Sequence, residues 1–106
     1  MTNFNDMLLK AKEMQDRMKE AQNIIKNIEV EGMAGGNLVK IILTGEYEIK
    51  SIIISEEANK EKREVINDLI IAAYNQAKDN LKKKSSEEIS KVTGGMNIPF
   101  DFKLPF

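Results

Sequence analysis

The amino-acid sequence predicts an α+β fold: a long N-terminal helix, a three-stranded antiparallel meander, a C-terminal helix and an apolar tail, assembled as a homodimer. Three observations predict it. Apolar residues recur at helical spacing through the first 28 residues. Residues 28–55 then hold three short alternating runs separated by glycine-containing turns. A second helical stripe follows from about residue 60. Three short strands bury little alone, so the sheet needs both helices, and a second copy would add further cover.

The chain has 106 residues, enough for one domain spanning 1–106 and one modest core. It has no cysteine and no histidine. Disulfides, thiol nucleophiles, Ser-His-acid catalysis and HExxH zinc sites are therefore excluded. No enzyme, cofactor, metal site or small-molecule substrate is expected. Net charge is −1, unevenly spread. Residues 3–27 carry five basic and four acidic side chains; 28–55 carry two and four; 56–73 carry three and five; 74–93 carry five and three. The two helical ends are slightly basic around an acidic middle. Phe4-Asn5-Asp6-Met7 leads into charged residues with no apolar stretch of signal type, and the longest apolar run is 69–74. A cytoplasmic setting and no membrane partner are expected.

The first helix is expected over about 4–27, capped by Thr2 or Asn3. Its apolar positions, Met7, Ala11, Met14, Met18, Ala21, Ile25 and Ile28, step by four and three alternately, a sustained heptad. About 24 residues make roughly 36 Å of helix. A domain of this size has a radius of gyration of about 13 Å, so the helix projects or lies against a partner. The Met- and Ala-rich seam is thin and adaptable. The other side carries Lys10, Lys12, Arg17, Lys19 and Lys26 among Asp6, Glu13, Asp16 and Glu20, a mixed face that also reads as simply solvated.

Strands are expected at about 28–34, 38–44 and 49–54. Ile28 and Val30 alternate with Glu29 and Glu31, and Gly32 and then Gly35-Gly36-Asn37 are expected to make a flexible turn. That glycine cluster is not a phosphate cradle, because no Lys-Ser/Thr follows and strand residues stand where a helix should begin. Val39, Ile41 and Leu43 share one face of the second strand, and Ile52 and Ile54 one face of the third. Ile42 and Ile53 are then apolar on the face that should meet water, which predicts a covering layer. A polar linker is expected from Ser55-Glu56-Glu57, then a helix from about 60 that ends near 83 or runs to 93. Ile66, Leu69, Ile70, Ala73, Ala77 and Leu81 form its sheet-facing stripe, with Ile71 and Tyr74 to one side. Ser85 or Ser86 with Glu88 reads as a fresh cap, whereas the spacing from Leu81 to Val92 reads as continuation. Lys82-Lys83-Lys84 is the densest positive cluster, readable as a DNA contact or as an exposed helix end favoured by the helix dipole. Gly94-Gly95 ends the helix, and the tail 96–106 holds three of the four phenylalanines and both prolines. Disordered tails are normally polar, so this one is expected to dock on the fold or bind something else.

Taken together, Met7–Met18, Ile28-Glu29-Val30-Glu31-Gly32, Gly36-Asn37-Leu38-Val39-Lys40-Ile41, Asp68-Leu69-Ile70-Ile71-Ala72-Ala73-Tyr74-Asn75, and Gly94-Gly95-Met96 running to Phe102-Lys103-Leu104-Pro105-Phe106 resemble the YbaB/EbfC family of bacterial nucleoid-associated proteins. The resemblance covers nearly the whole chain, and Phe-Lys-Leu-Pro-Phe is its most distinctive part. Phe100-Asp101 departs from the usual Pro-Gly. The resemblance implies a tweezer-shaped homodimer that binds duplex DNA in the nucleoid, alters its conformation and influences gene expression. It supplies no position-specific DNA residue. Charge alone nominates Lys10, Lys12, Arg17, Lys19, Lys82, Lys83 and Lys84. Met7, Ala11, Met14, Met18, Ile42, Ile53, Ile71 and Tyr74 are nominated as dimer or core seam. No aromatic side chain is interleaved with the lysines, which favours duplex over single strands. The competing expectation is a dimeric protein-interaction adaptor that uses the Met-rich seam and the Phe-rich tail.

Overall fold

A computed structural model describes residues 3–92. In chain order the elements are α1 (Phe4–Lys26), β1 (Glu29–Ala34), β2 (Val39–Thr44), β3 (Ile49–Ile54), α2 (Glu56–Asn59) and α3 (Arg63–Val92). The α+β architecture with a long first helix and a three-stranded antiparallel meander is the one the sequence predicts. The Gly94-Gly95 stop and the apolar tail lie outside the described residues.

α1 starts where the Asn3 side chain accepts a hydrogen bond from the Asn5 N–H, with Asp6 in its first turn and Lys26 in its last. No glycine or proline interrupts it. Only its C-terminal end is seated: Ala21 and Ile25 are buried, whereas Phe4, Met7, Leu8 and Leu9 are exposed. The molecule measures 70 × 21 × 17 Å with a radius of gyration of 19.0 Å, well above the figure of about 13 Å for a compact domain. Two long helices beside a small sheet produce that elongation.

The strands pair in sequence order, β1-β2-β3, all antiparallel. Glu31 stands opposite Ile42 and Gly32 opposite Ile41; Ile41 in turn stands opposite Ile52. Gly35 and Gly36, at φ 62 and 72, close the first hairpin in the left-handed region that glycine enters freely. Alternation then sorts the side chains. Val39, Ile41 and Leu43 are fully buried under α3, joined by Val30, Ile28, Ile25, Ala73, Ala77 and Leu81. Small residues at the crossing let α3 lie very close to β1. A Cβ on Gly32 would overlap Ala73 O and Ala77 N and stand 2.7 Å from Ala77 Cβ.

Three local readings change. The polar linker expected after Ser55 is the short helix α2, because Ser55 Oγ accepts the Ala58 N–H (3.1 Å) and Ala58 is fully buried. The helix break considered at Ser85 does not occur, and α3 runs through to Val92 with Ser85, Glu88 and Ile89 half-buried. The layer expected over Ile42 and Ile53 is absent among the described residues: Ile53 is 49% exposed. Ion pairs occupy that face instead, Lys40–Glu31 at 3.2 Å and Lys50–Glu29 at 2.7 Å.

Candidate nucleic-acid interface

The seven nominated cations are all exposed, and they fall into two groups. Lys10, Lys12, Arg17 and Lys19 ride on the outer part of α1, before its first buried residue, Ala21. Lys12 lies about 20 Å along the helix axis from Ile25, at about 1.5 Å per residue. Lys82, Lys83 and Lys84 follow Leu81, which anchors α3 in the same core as Ile25. The structure therefore does not merge the two groups into one patch; it spaces them along the long axis of the molecule.

Helical geometry orders the charges on α1. At about 100° per residue, Asp6, Glu13, Asp16 and Glu20 cluster on the back of the helix, opposite the Met7–Met14–Met18 stripe. Lys10 and Arg17 border the stripe on one side, and Lys12, Lys19 and Lys26 border it on the other. A polyanion approaching α1 from behind meets carboxylates; one approaching along a flank meets a basic rail. Among the described residues, no ion pair involves any of the seven cations; the pairs present use Lys26, Lys40, Lys50 and Lys91. Their charge is available to a ligand.

Lys83 and Lys84 line a shallow groove with Glu29, Val30, Glu31, Asn80 and Glu87, between the edge of β1 and α3. Two of those glutamates are already occupied, Glu29 by Lys50 and Glu31 by Lys40. Counting both partner lysines, the groove holds four positive and three negative side chains, and adjacent Lys82 adds a fifth positive one. Its field is weakly positive. Among the described residues, no group of three or more His, Cys, Asp or Glu side chains could hold a metal ion. No helix among them is long and apolar enough to cross a membrane.

The nominated seam residues are also divided. Met14 and Met18 are half-buried, while Met7 and Ala11 are exposed. Tyr74 packs against the core, Ile42 is half-buried, and Ile53 and Ile71 are 49% and 59% exposed. Residues that sequence reasoning passed over shape the sheet's edges. Gln76 Oε1 accepts the Met33 N–H at 2.6 Å, and Asn80 Nδ2 donates to Glu31 O at 2.8 Å. These side chains satisfy the outer edge of β1, so α3 closes that edge. β3 has no such cover among the described residues. Ser55 N–H donates to Leu38 O. By antiparallel alternation, Ile53 and Ser51 then point their backbone groups toward β2, and Ile52 and Ile54 point theirs outward. Ile49 and Ile52 are 45% and 44% exposed beside this edge. Gly32, expected in the turn, instead lies within β1 opposite Ile41, because only a residue without a side chain lets Ala73 and Ala77 of α3 pack so close to the strand.

The YbaB/EbfC DNA-binding family matches residues 1–96 of the chain. A nucleoid-associated protein of Rickettsia typhi is 43% identical over 107 residues, covering all of both chains. A nucleoid-associated protein of Hahella chejuensis is 36% identical over 104 residues, covering 98% of this chain and 96% of its own. Among solved structures, an uncharacterized protein from Helicobacter pylori superposes with a TM-score of 0.73 over 89% of this chain and all of its own. That similarity, at 14% identity, is one of fold.

Proposed function

Because this chain belongs to the YbaB/EbfC DNA-binding family across residues 1–96, we propose that it is a nucleoid-associated protein whose single domain, as a homodimer, binds duplex DNA chiefly through lysine and arginine contacts to phosphates. The family match carries the reading. Its physical support is the set of seven exposed cations without an ion-pair partner among the described residues. They stand as separated groups on a long body with weak overall charge. Contacts of this kind fix position on the duplex without reading bases, so sequence preference is weak. Bound along its length, the duplex adapts to the spacing of the two groups, and that is how the protein alters DNA conformation and influences nucleoid organisation and gene expression.

Dimerisation doubles each cationic group at a fixed separation. The β3 edge is the surface for it. Its outward backbone groups at Ile52 and Ile54 lack partners among the described residues, and a free apolar edge strand is a template for another strand. Gln76 and Asn80 mark the side of α3 turned to β1; at about 100° per residue, Tyr74 and Ile71 lie on the far side, toward β3. Ile49, Ile52 and Ile71 are exposed and Tyr74 is half-buried, so this side of the molecule offers apolar surface for a two-fold copy to cover. The adaptor reading has no comparable support. The family is a DNA-binding one, and a chain without histidine or cysteine needs no reaction to explain it.

The test is a duplex titration at two salt concentrations, on protein of measured solution mass. Six to ten phosphate contacts lose roughly 10³- to 10⁵-fold in affinity between about 50 and 200 mM salt. Replacing Lys82, Lys83 and Lys84 together by Glu should weaken binding on all sequences alike and flatten the salt slope. Salt-independent binding, or none at low salt, refutes the proposal.

A further inference from the structure

We propose that three carboxylates set how tightly the groove between β1 and α3 holds a DNA phosphate strand, Glu87 as a standing brake and Glu29 and Glu31 as brakes that Lys50 and Lys40 hold off. The inference rests on the DNA reading and deepens it.

Lys83 and Lys84 line the groove together with Glu29, Glu31 and Glu87. Residues 28–55 contain two cations, Lys40 and Lys50. Both are committed to the groove glutamates of β1. Lys40 Nζ lies 3.2 Å from Glu31 Oε1, and Lys50 Nζ lies 2.7 Å from Glu29 Oε2. Neither partnership is between directly opposed residues. Lys40 stands opposite Met33, and Glu31 opposite Ile42, so that pair is diagonal. Lys50 belongs to β3, and β2 lies between it and Glu29. Solvent-accessible pairs of long side chains contribute little to stability, so the fold does not depend on these two. Their effect falls on the groove. With Glu29 and Glu31 neutralised, the field of Lys83 and Lys84 survives beside them. Lys40 and Lys50 are thus positioning residues that act through the glutamates.

Glu87 has no such partner. It is exposed, and among the described residues no ion pair or hydrogen bond engages it. At about 100° per residue it projects between Lys83 and Lys84, one turn farther along α3. Side chains three and four apart on a helix are neighbours, about 5–6 Å apart at Cβ. A phosphate bridging the two lysines therefore meets the Glu87 carboxylate at about 6 Å, where two unit charges in water change an equilibrium by about threefold. Glu64, in the first turn of the same helix, supplies a matched control. It lies about 28 Å along the axis from Lys83. The screening length is about 10 Å at 0.1 M salt, so its charge does not reach the groove.

The test is a duplex titration at about 0.1 M salt on the full chain and its variants, with thermal melts confirming each fold. Glu87→Gln should bind about threefold tighter, and Glu64→Gln like the unsubstituted chain. Lys40→Gln and Lys50→Gln should each bind about threefold weaker. Adding Glu31→Gln to Lys40→Gln, or Glu29→Gln to Lys50→Gln, should restore the original affinity. Adding Glu64→Gln should restore neither, although it changes net charge by the same amount. Equal effects of Glu87→Gln and Glu64→Gln reduce the brake to net charge and overturn the proposal. So does a Lys40→Gln, Glu31→Gln pair that stays weak, since Lys40 is then itself a phosphate contact. An unsubstituted chain with no affinity even at low salt refutes the DNA reading, and the proposal falls with it; binding by that chain with unresponsive variants refutes the proposal alone.

Discussion

Replacing Gly32 by Ala puts one methyl group where β1 and α3 meet. The added Cβ would stand 2.7 Å from Ala77 Cβ and closer still to Ala73 O and Ala77 N. Ordinary contact begins at 3.4 Å, so α3 must withdraw by about 0.7 Å or more. The opposing atoms are helix backbone and a Cβ, so no rotamer change relieves the overlap. Overpacking of this kind costs roughly 1–3 kcal/mol. Withdrawal also stretches Met33 N–H···Gln76 Oε1 (2.6 Å) and Asn80 Nδ2–H···Glu31 O (2.8 Å), each contributing about 1 kcal/mol. The expected loss is about 3–5 kcal/mol, a large share of the roughly 5–15 kcal/mol that holds a domain folded. Urea unfolding followed by circular dichroism at 222 nm, at fixed protein concentration, measures it. A loss below about 1 kcal/mol would refute the claim that Gly32 sets the spacing of β1 and α3.

Other substitutions separate the remaining contributions. Ile52→Pro removes an outward N–H of β3 and none of its ladder bonds to β2, so the fold should persist while the solution mass halves by light scattering; an intact dimer rejects the β3 edge as the interface. Ser55→Ala removes the cap of α2 and should lower stability by about 1 kcal/mol in thermal melts, with DNA affinity per folded molecule unchanged. Leu81→Ala opens a cavity at a fully buried site between α3 and the core and should cost about 2–5 kcal/mol in the same urea assay. Lys40→Ala breaks only a solvent-accessible ion pair with a half-buried lysine and should change stability by less than about 1 kcal/mol.

Much of the architecture is written locally. The uninterrupted heptad of α1, the alternation of Val39, Ile41 and Leu43, the Gly35-Gly36 turn and the Ala73–Ala77–Leu81 stripe each follow from period or turn chemistry within a few residues. Sequence also nominated the cations, since charge is a property of composition. Their arrangement is less legible. Lys83 and Lys84 share a groove with Glu29 and Glu31, strand residues more than fifty positions earlier, and Lys40 and Lys50 blunt that acidity from the other face.

What the sequence by itself determined, then, is the identity of the two long helices and three strands and which face of each packs on the core, because both are periodic and short-range, whereas α2 is too short to show a period. Tertiary structure alone decided which edge of the sheet stays open. Gln76 and Asn80 look like ordinary surface residues in the sequence. They close β1 only because α3 crosses it, with partners 43 and 49 residues away. Once α3 lies over β1 and β2, β3 is left with exposed isoleucines and an unpaired edge, and the outer half of α1 is left without cover among the described residues. Packing of one element consumes the surface that another would have used, and no local pattern records that competition.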